Sequence, residues 1–313
     1  MFHQIKLLAS GILLVSLVLS CSAETTKTSS NQSPMPILWE IEKESDIGPG
    51  KRGYLFGTMH ISDPRVTTLH PAVQEAFDKS DAIFTELKES PLEMMAITIQ
   101  RGMLPKGTSL RDVIGEDTFK KLDDFLRSKK MSVKEFAQMR PWMVGMQLQL
   151  LDAMPYMQGV ALDLQLIQNA VKAKKETGGV ETMNEQLAAL AYGNEEEQVT
   201  LFRLALDKII DKDNEGGPPE IEIMLEHYLS GDVEGLWNFA EESMKNATKL
   251  EEDAFDALLA NRNTNMATRI DKRFKEFPES TTFYAFGALH FAGPDSVGKK
   301  LEDIGYKVTR VTQ

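Results

Sequence analysis

The feature that most constrains this chain is a seven-residue segment that occurs twice, once near each end. Tyr54-Leu-Phe-Gly-Thr-Met-His60 and Tyr284-Ala-Phe-Gly-Ala-Leu-His290 share Tyr, Phe, Gly and His at the same spacing. Apolar and aromatic runs of this length read as strands. Each copy is followed by a loop holding a proline (Pro64, Pro294), then a helix, then a strand. Two copies of strand–Gly-x-x-His–loop–helix–strand fit one sheet with approximate two-fold internal symmetry. In that sheet the two histidines sit at equivalent strand ends and face each other. The carboxyl ends of strands in open sheets are where sites tend to lie.

The rest of the chain fills in around that frame. Ile37 to Ile41 reads as a short strand, Asp81 to Leu87 as another, and Tyr306 to Val311 as the last. Apolar residues at helical spacing predict a helix from Pro71 to Ser80. From Pro91 to Pro278 the pattern is helical, as in Thr118 to Ser128, Trp142 to Ala153, Leu162 to Lys175, Glu195 to Asp211 and Leu250 to Phe277. One short β-like stretch, Gly179 to Thr182, interrupts it. The expected fold is therefore α+β. A central mixed sheet is built from the two repeats, with a long helical insertion over about 91–278, in a single domain spanning 37–313.

The N-terminus reads as targeting. Lys6 precedes an apolar run, Ile12 to Leu19, too short for a typical spanning helix of about 20 residues. The run ends at Val18-Leu19-Ser20-Cys21, and Cys21 is the one cysteine in the chain. The pattern resembles a bacterial lipobox, so Cys21 is the expected lipidation site, and 22–36 reads as a flexible polar tether. The expectation is an exported protein, lipid-anchored to a bacterial membrane (outer membrane or periplasm in a Gram-negative cell). A lone cysteine excludes an internal disulfide framework and a cysteine zinc ribbon. A net charge of −12 argues against a general nucleic-acid binder.

Five histidines occur: His3, His60, His70, His227 and His290. Imidazole is the commonest protein metal ligand, and the paired context singles out His60 and His290. Glu86 lies in the apolar strand after the first of them, where a carboxylate is costly to bury unless paired or metal-bound. Glu181 is a second carboxylate in a short β-like stretch, with an exposed loop acid as the plain expectation. Asp163, Arg262 and Asn263 lie in helical stretches, where a solvent-facing position is the default. Two histidines with one or two carboxylates suit Zn, Mn, Fe or Co and disfavour Ca or Cu(I). So few protein ligands leave positions open for water, as at catalytic sites. There is no His-Glu-x-x-His, no Gly-x-Ser-x-Gly and no Walker loop.

These residues resemble the TraB/PrgY/GumN family, which includes the TIKI proteases that cleave Wnt proteins. The marks are Gly57-Thr58-Met59-His60, Gly287-Ala288-Leu289-His290 and Glu86 on the strand after the first. Val180-Glu181-Thr182 with Gln186, and Arg262-Asn263 with Met266, resemble further family stretches. Ala161-Leu162-Asp163 resembles a Gly-x-Asp segment, although Ala161 replaces the glycine, which weakens the role given to Asp163. The match spans about 37–311. The resemblance implies a metal-dependent hydrolase with Mn²⁺ or Co²⁺. It also places the chain near erythromycin-esterase-like enzymes and haem-binding ChaN-like lipoproteins.

Two functions are therefore expected. The first is a TIKI-like metallopeptidase acting on a peptide or protein substrate, with a divalent ion (Mn, Co or Zn). His60, His290 and Glu86 are its metal ligands, with Glu86 alternatively the general base. Arg262 steadies an oxyanion or a substrate carboxylate, and Glu181 orients a ligand or binds substrate. The alternative is a non-catalytic surface lipoprotein that binds haem or a peptide signal in a methionine-rich groove (Met139, Met143, Met146, Met154, Met157).

Overall fold

The computed structural model describes residues 35–43 and 51–312. The signal segment, Cys21 and nearly all of the expected tether lie outside them. The described chain is α+β. Six strands form one mixed sheet: β1 (Leu38–Lys43), β2 (Lys51–Thr58), β3 (Ala82–Leu87), β4 (Glu176–Glu181), β5 (Thr282–Gly287) and β6 (Tyr306–Arg310). Their spatial order is β4-β3-β5-β2-β1-β6. The neighbours β4, β3, β5 and β2 run parallel, while β1 is antiparallel to both β2 and β6.

Helices α1 (Pro64–Thr67) and α2 (Pro71–Lys79) join β2 to β3, and α14 (Val297–Asp303) joins β5 to β6. Between β3 and β4 lie α3 (Pro91–Gly102), α4 (Leu110–Ile114), α5 (Glu116–Ser128), α6 (Pro141–Gln149) and α7 (Leu162–Lys172). Between β4 and β5 lie α8 (Met183–Leu190), α9 (Glu195–Glu215), α10 (Glu220–Ser230), α11 (Val233–Ser243), α12 (Lys249–Leu258) and α13 (Ala260–Glu276). The expected helix from Leu250 to Phe277 is thus two helices. They meet at Leu259, whose backbone leaves helical geometry (φ −119°, ψ −73°) with no proline or glycine to announce it.

The centre of the sheet reads as a buried parallel strand should. Along β5 the side chains alternate between two cores. Phe283 and Ala285 join Leu38, Phe56 and Phe77 on one face, and Tyr284 and Phe286 join Leu55, Met266 and Ile270 on the other. Each large apolar side chain buried this way contributes roughly 1.5–3 kcal/mol. A separate cluster, including Leu122, Phe136, Met143 and Phe202, holds the inserted helices together.

Two strands are stopped by helix-start signals in the sequence. Ser90 caps α3 with Glu93 returning the bond, and Thr182 caps α8 with Glu185 doing the same. The chain therefore leaves the sheet shortly after Glu86 and at once after Glu181. Both carboxylates are left at the carboxyl edge of the parallel strands.

Candidate active site

The two Gly-x-x-His motifs follow β2 and β5, which are parallel neighbours in register from Gly53 with Thr282 to Thr58 with Gly287. Adjacent parallel strands end at the same edge, so both histidines arrive there together. His60 Nε2 stands 3.7 Å and His290 Nε2 3.8 Å from the same atom, Glu86 Oε1. The other two histidines among the described residues are placed elsewhere. His70 caps α2 through the Ala72 N–H, and His227 pairs with Asp232 at a helix turn.

Glu86 is held from three sides. The Gly287 N–H donates to Oε1 at 2.7 Å, and Gln186 Nε2 and Arg262 Nη2 donate to Oε2 at 2.9 and 2.8 Å. Arg262 also grips Glu181 through Nε and Nη2, and its Nη1 donates to the Leu258 carbonyl. The side chains of Arg262, Glu86 and Glu181 are only 11%, 7% and 2% exposed. The default expectations for Arg262 and Glu181 are corrected here. Burial makes an unpaired charge so costly that the guanidinium and two carboxylates are kept as a set.

Two more residues expected to face solvent belong to the site. Asp163 Oδ2 lies 2.9 Å from His60 Nδ1, and the Thr58 hydroxyl donates to its other oxygen at 2.7 Å. The loss of glycine at position 161 therefore does not remove Asp163 from the site. Asn263 is buried, with Oδ1 2.5 Å from His290 Nδ1 and Nδ2 donating to the Asp295 carbonyl at 2.8 Å. Both sit at the first turn of their helices, α7 and α13, which point back at the strand ends. Thr58 carried no signal beyond being one of the unspecified positions in the first motif, and Gln186 stood out only through the resemblance.

The two imidazoles differ in charge. Burial opposes a proton on His60, but the Asp163 charge and hydrogen bond, with Glu86 beside them, raise its pKa to about 9. A third of the His60 side chain meets solvent, which eases that proton further. At His290 burial dominates and lowers the pKa to about 4, with Glu86 opposing and Arg262 and His60 adding to the drop. Burial would raise Glu86, yet His290, Arg262 and His60 hold it well below the usual carboxylate range. Burial raises Glu181 against the pull of Arg262.

Among the described residues, no group of three or more His, Cys, Asp or Glu side chains stands close enough to hold an ion without movement. The donor set still fits one. The Nδ1 of each imidazole faces a side-chain oxygen, the arrangement that turns Nε2 into the ligand nitrogen. Two ligands about 2.1 Å from a tetrahedral ion stand about 3.4 Å apart, a few tenths of an ångström less than the separations seen. The space between them is kept by a glycine. A Cβ on Gly287 would lie 3.3 Å from Glu86 Oε1, 3.4 Å from His60 Nε2 and 3.8 Å from His290 Cδ2.

A family model for TraB/PrgY/gumN proteins matches residues 37–310. The chain belongs to the TraB/PrgY/gumN family. It is 28% identical to "Metalloprotease TIKI1" of Xenopus tropicalis over 87% of this chain and 60% of that protein. With "Metalloprotease TIKI2" of Xenopus tropicalis the identity is 29%, over 87% of this chain and 59% of the relative. The human "Metalloprotease TIKI1" is 28% identical over 87% of this chain and 61% of its own length. The chain thus spans about three fifths of the length of these relatives. No solved structure matches it. The methionine groove of the haem-binding alternative gains no support: Met139 and Met143 are packed inside the helical core.

Proposed function

We propose that this TraB/PrgY/gumN protein is a TIKI-like metallopeptidase that hydrolyses peptide bonds of a protein substrate. The observation that carries the reading is the meeting of His60 Nε2, His290 Nε2 and Glu86 Oε1 around the gap left by Gly287. His60, His290 and Glu86 would hold the divalent ion, with Mn, Co or Zn compatible with two nitrogens and an oxygen. A bound ion of this class supplies a water of lowered pKa and polarises a carbonyl.

The residues divide the remaining work. Glu86 accepts three hydrogen bonds and is held ionised, so it serves as a ligand better than as a base, which needs a pKa near the working pH. Arg262 commits four of its five N–H donors to Glu86, Glu181 and Leu258. It therefore acts first as the clamp on Glu86, and only one N–H remains for a substrate oxygen. Glu181 balances Arg262 and keeps it in place. His290 is sealed inside, while His60 lies toward solvent, so substrate enters from the His60 side.

Anchoring through Cys21 to a bacterial membrane belongs to the same proposal. A lipid-modified residue 21 at the mature N-terminus, read by mass spectrometry, is the expected result, and an unmodified terminus elsewhere contradicts it.

The function is tested with the mature protein, a fluorogenic peptide library, and added Mn²⁺, Co²⁺ or Zn²⁺. Hydrolysis that requires an ion and disappears in the His60→Ala/His290→Ala double variant is expected. Hydrolysis that survives both chelation and the double variant would remove the proposal.

A further inference from the structure

Each imidazole has a partner at Nδ1, and each partner is held on its far side by a third group. Asn263 donates from Nδ2 to the backbone carbonyl of Asp295. A carbonyl only accepts, so the amide nitrogen must face it and the amide oxygen must face His290. An oxygen 2.5 Å from Nδ1 requires a hydrogen on that nitrogen. With that hydrogen on Nδ1, Nε2 is the nitrogen free to offer a lone pair, and it lies 3.8 Å from Glu86 Oε1.

At the first copy the third group is the Thr58 hydroxyl, 2.7 Å from Asp163 Oδ1. A hydroxyl both donates and accepts. It would hold an amide in either orientation and select neither. A carboxylate has no donor to turn toward the ring, so Nδ1 of His60 carries a hydrogen whichever oxygen faces it. Thr58 is the first unspecified residue of its Gly-x-x-His motif, and Ala288 fills the matching place in the second. Ala288 has no polar group to offer, and there the Asp295 backbone takes the part.

We infer that Asp163 and Asn263 are positioning residues that make Nε2 the nitrogen each histidine presents, and that the acid in one copy and the amide in the other follow from what holds their far sides. Neither touches the reacting atoms. The consequence for an ion rests on the function proposed above, whereas the hydrogen placement at His290 does not.

The test uses the full mature protein. Long-range proton–nitrogen NMR of the metal-free wild type reads the His290 ring, and the expected signature is a protonated Nδ1 with an unprotonated Nε2. Manganese titration then compares wild type with Asp163→Asn. The variant is expected to bind roughly 10–100-fold more weakly, the usual effect of losing an outer partner of a ligand. Its far-UV circular dichroism should match wild type, because the swap keeps shape and the Thr58 contact, although the unfolding midpoint falls with loss of the charge that holds the His60 proton. Asn263→Asp sets two acceptors against each other and is expected to destabilise the fold; should it not fold at all, Asp163→Asn and the wild-type spectrum still decide. An Nε2–H form at His290, or Asp163→Asn binding manganese as tightly as wild type, overturns the inference. A wild type that binds no manganese removes the functional proposal instead, and the His290 spectrum still judges this one.

Discussion

His60 and His290 end neighbouring parallel strands and look at the same oxygen, yet their surroundings are opposite. His60 is a third exposed, faces an anionic partner and favours its proton; His290 is buried, faces a neutral amide and rejects one. The sequence repeat delivers the two rings to one place. Residues outside the repeat, Asp163 on α7 and Asn263 on α13, make them different. One motif used twice has thus produced a fixed nitrogen inside and an accessible one at the mouth.

The largest effect should come from breaking either half. His60→Ala and His290→Ala are each expected to lose metal-dependent hydrolysis by more than the roughly 10–100-fold of an outer-partner change. Above about pH 9, where the His60 proton no longer contributes, only His290→Ala should also lower stability, by about 1–3 kcal/mol, since it strands the buried Asn263 oxygen. Urea unfolding beside the activity assay separates them, and equal stability loss in both would erase the inside–outside distinction.

Next comes the clamp both halves share. Arg262→Met leaves Glu86 and Glu181 buried without their cation, and a loss of about 3–5 kcal/mol is expected from chemical denaturation. A variant as stable as wild type would mean the carboxylates find other partners.

The two motif glycines sharpen the comparison. At Gly57 a Cβ would lie 2.3 Å from Ile37 Cγ2 and 3.2 Å from the Ala288 Cα, so Gly57→Ala should cost about 1–3 kcal/mol of stability. At Gly287 the Cβ would instead enter the gap between Glu86 and His60. Gly287→Ala should fold nearly as well as wild type and bind metal poorly, as measured by thermal unfolding and metal titration together. The reverse pattern would misplace the gap.

The same contrast should be visible in the pH dependence of stability. A folded pKa of about 9 for His60 means stability present below about pH 6.5 and lost as pH rises through about 9. A folded pKa of about 4 for His290 means stability present above about pH 6.5 and lost as pH falls toward 4. Denaturation midpoints of the metal-free protein should flatten on the alkaline side in His60→Gln and on the acid side in His290→Gln. Identical profiles would contradict the assigned environments.

Much of this was legible in the chain. The strand runs, the doubled Gly-x-x-His and Glu86 in an apolar strand led to the sheet and to three atoms that do converge. Asn263, Arg262 and Asp163 stood out only through the family resemblance, because a polar residue on a helix looks the same in sequence whether that face meets water or a strand end. Their helices begin at the carboxyl edge of the sheet, and only the three-dimensional arrangement shows it. The strand Glu176–Glu181 was visible only at its end, since Gly178 and Gly179 lack the side chains that mark a β run. They are glycines because a Cβ would strike Phe84 at one and the β3 backbone at the other.

The central claim is that two imidazole Nε2 atoms and Glu86 hold one ion. Crystals of the mature protein grown with Mn²⁺ and measured at its absorption edge test it directly. A single anomalous peak about 2.1 Å from both Nε2 atoms and from a Glu86 oxygen is the predicted result. A peak at other residues, or no peak while the crystals still hydrolyse peptide, would contradict it.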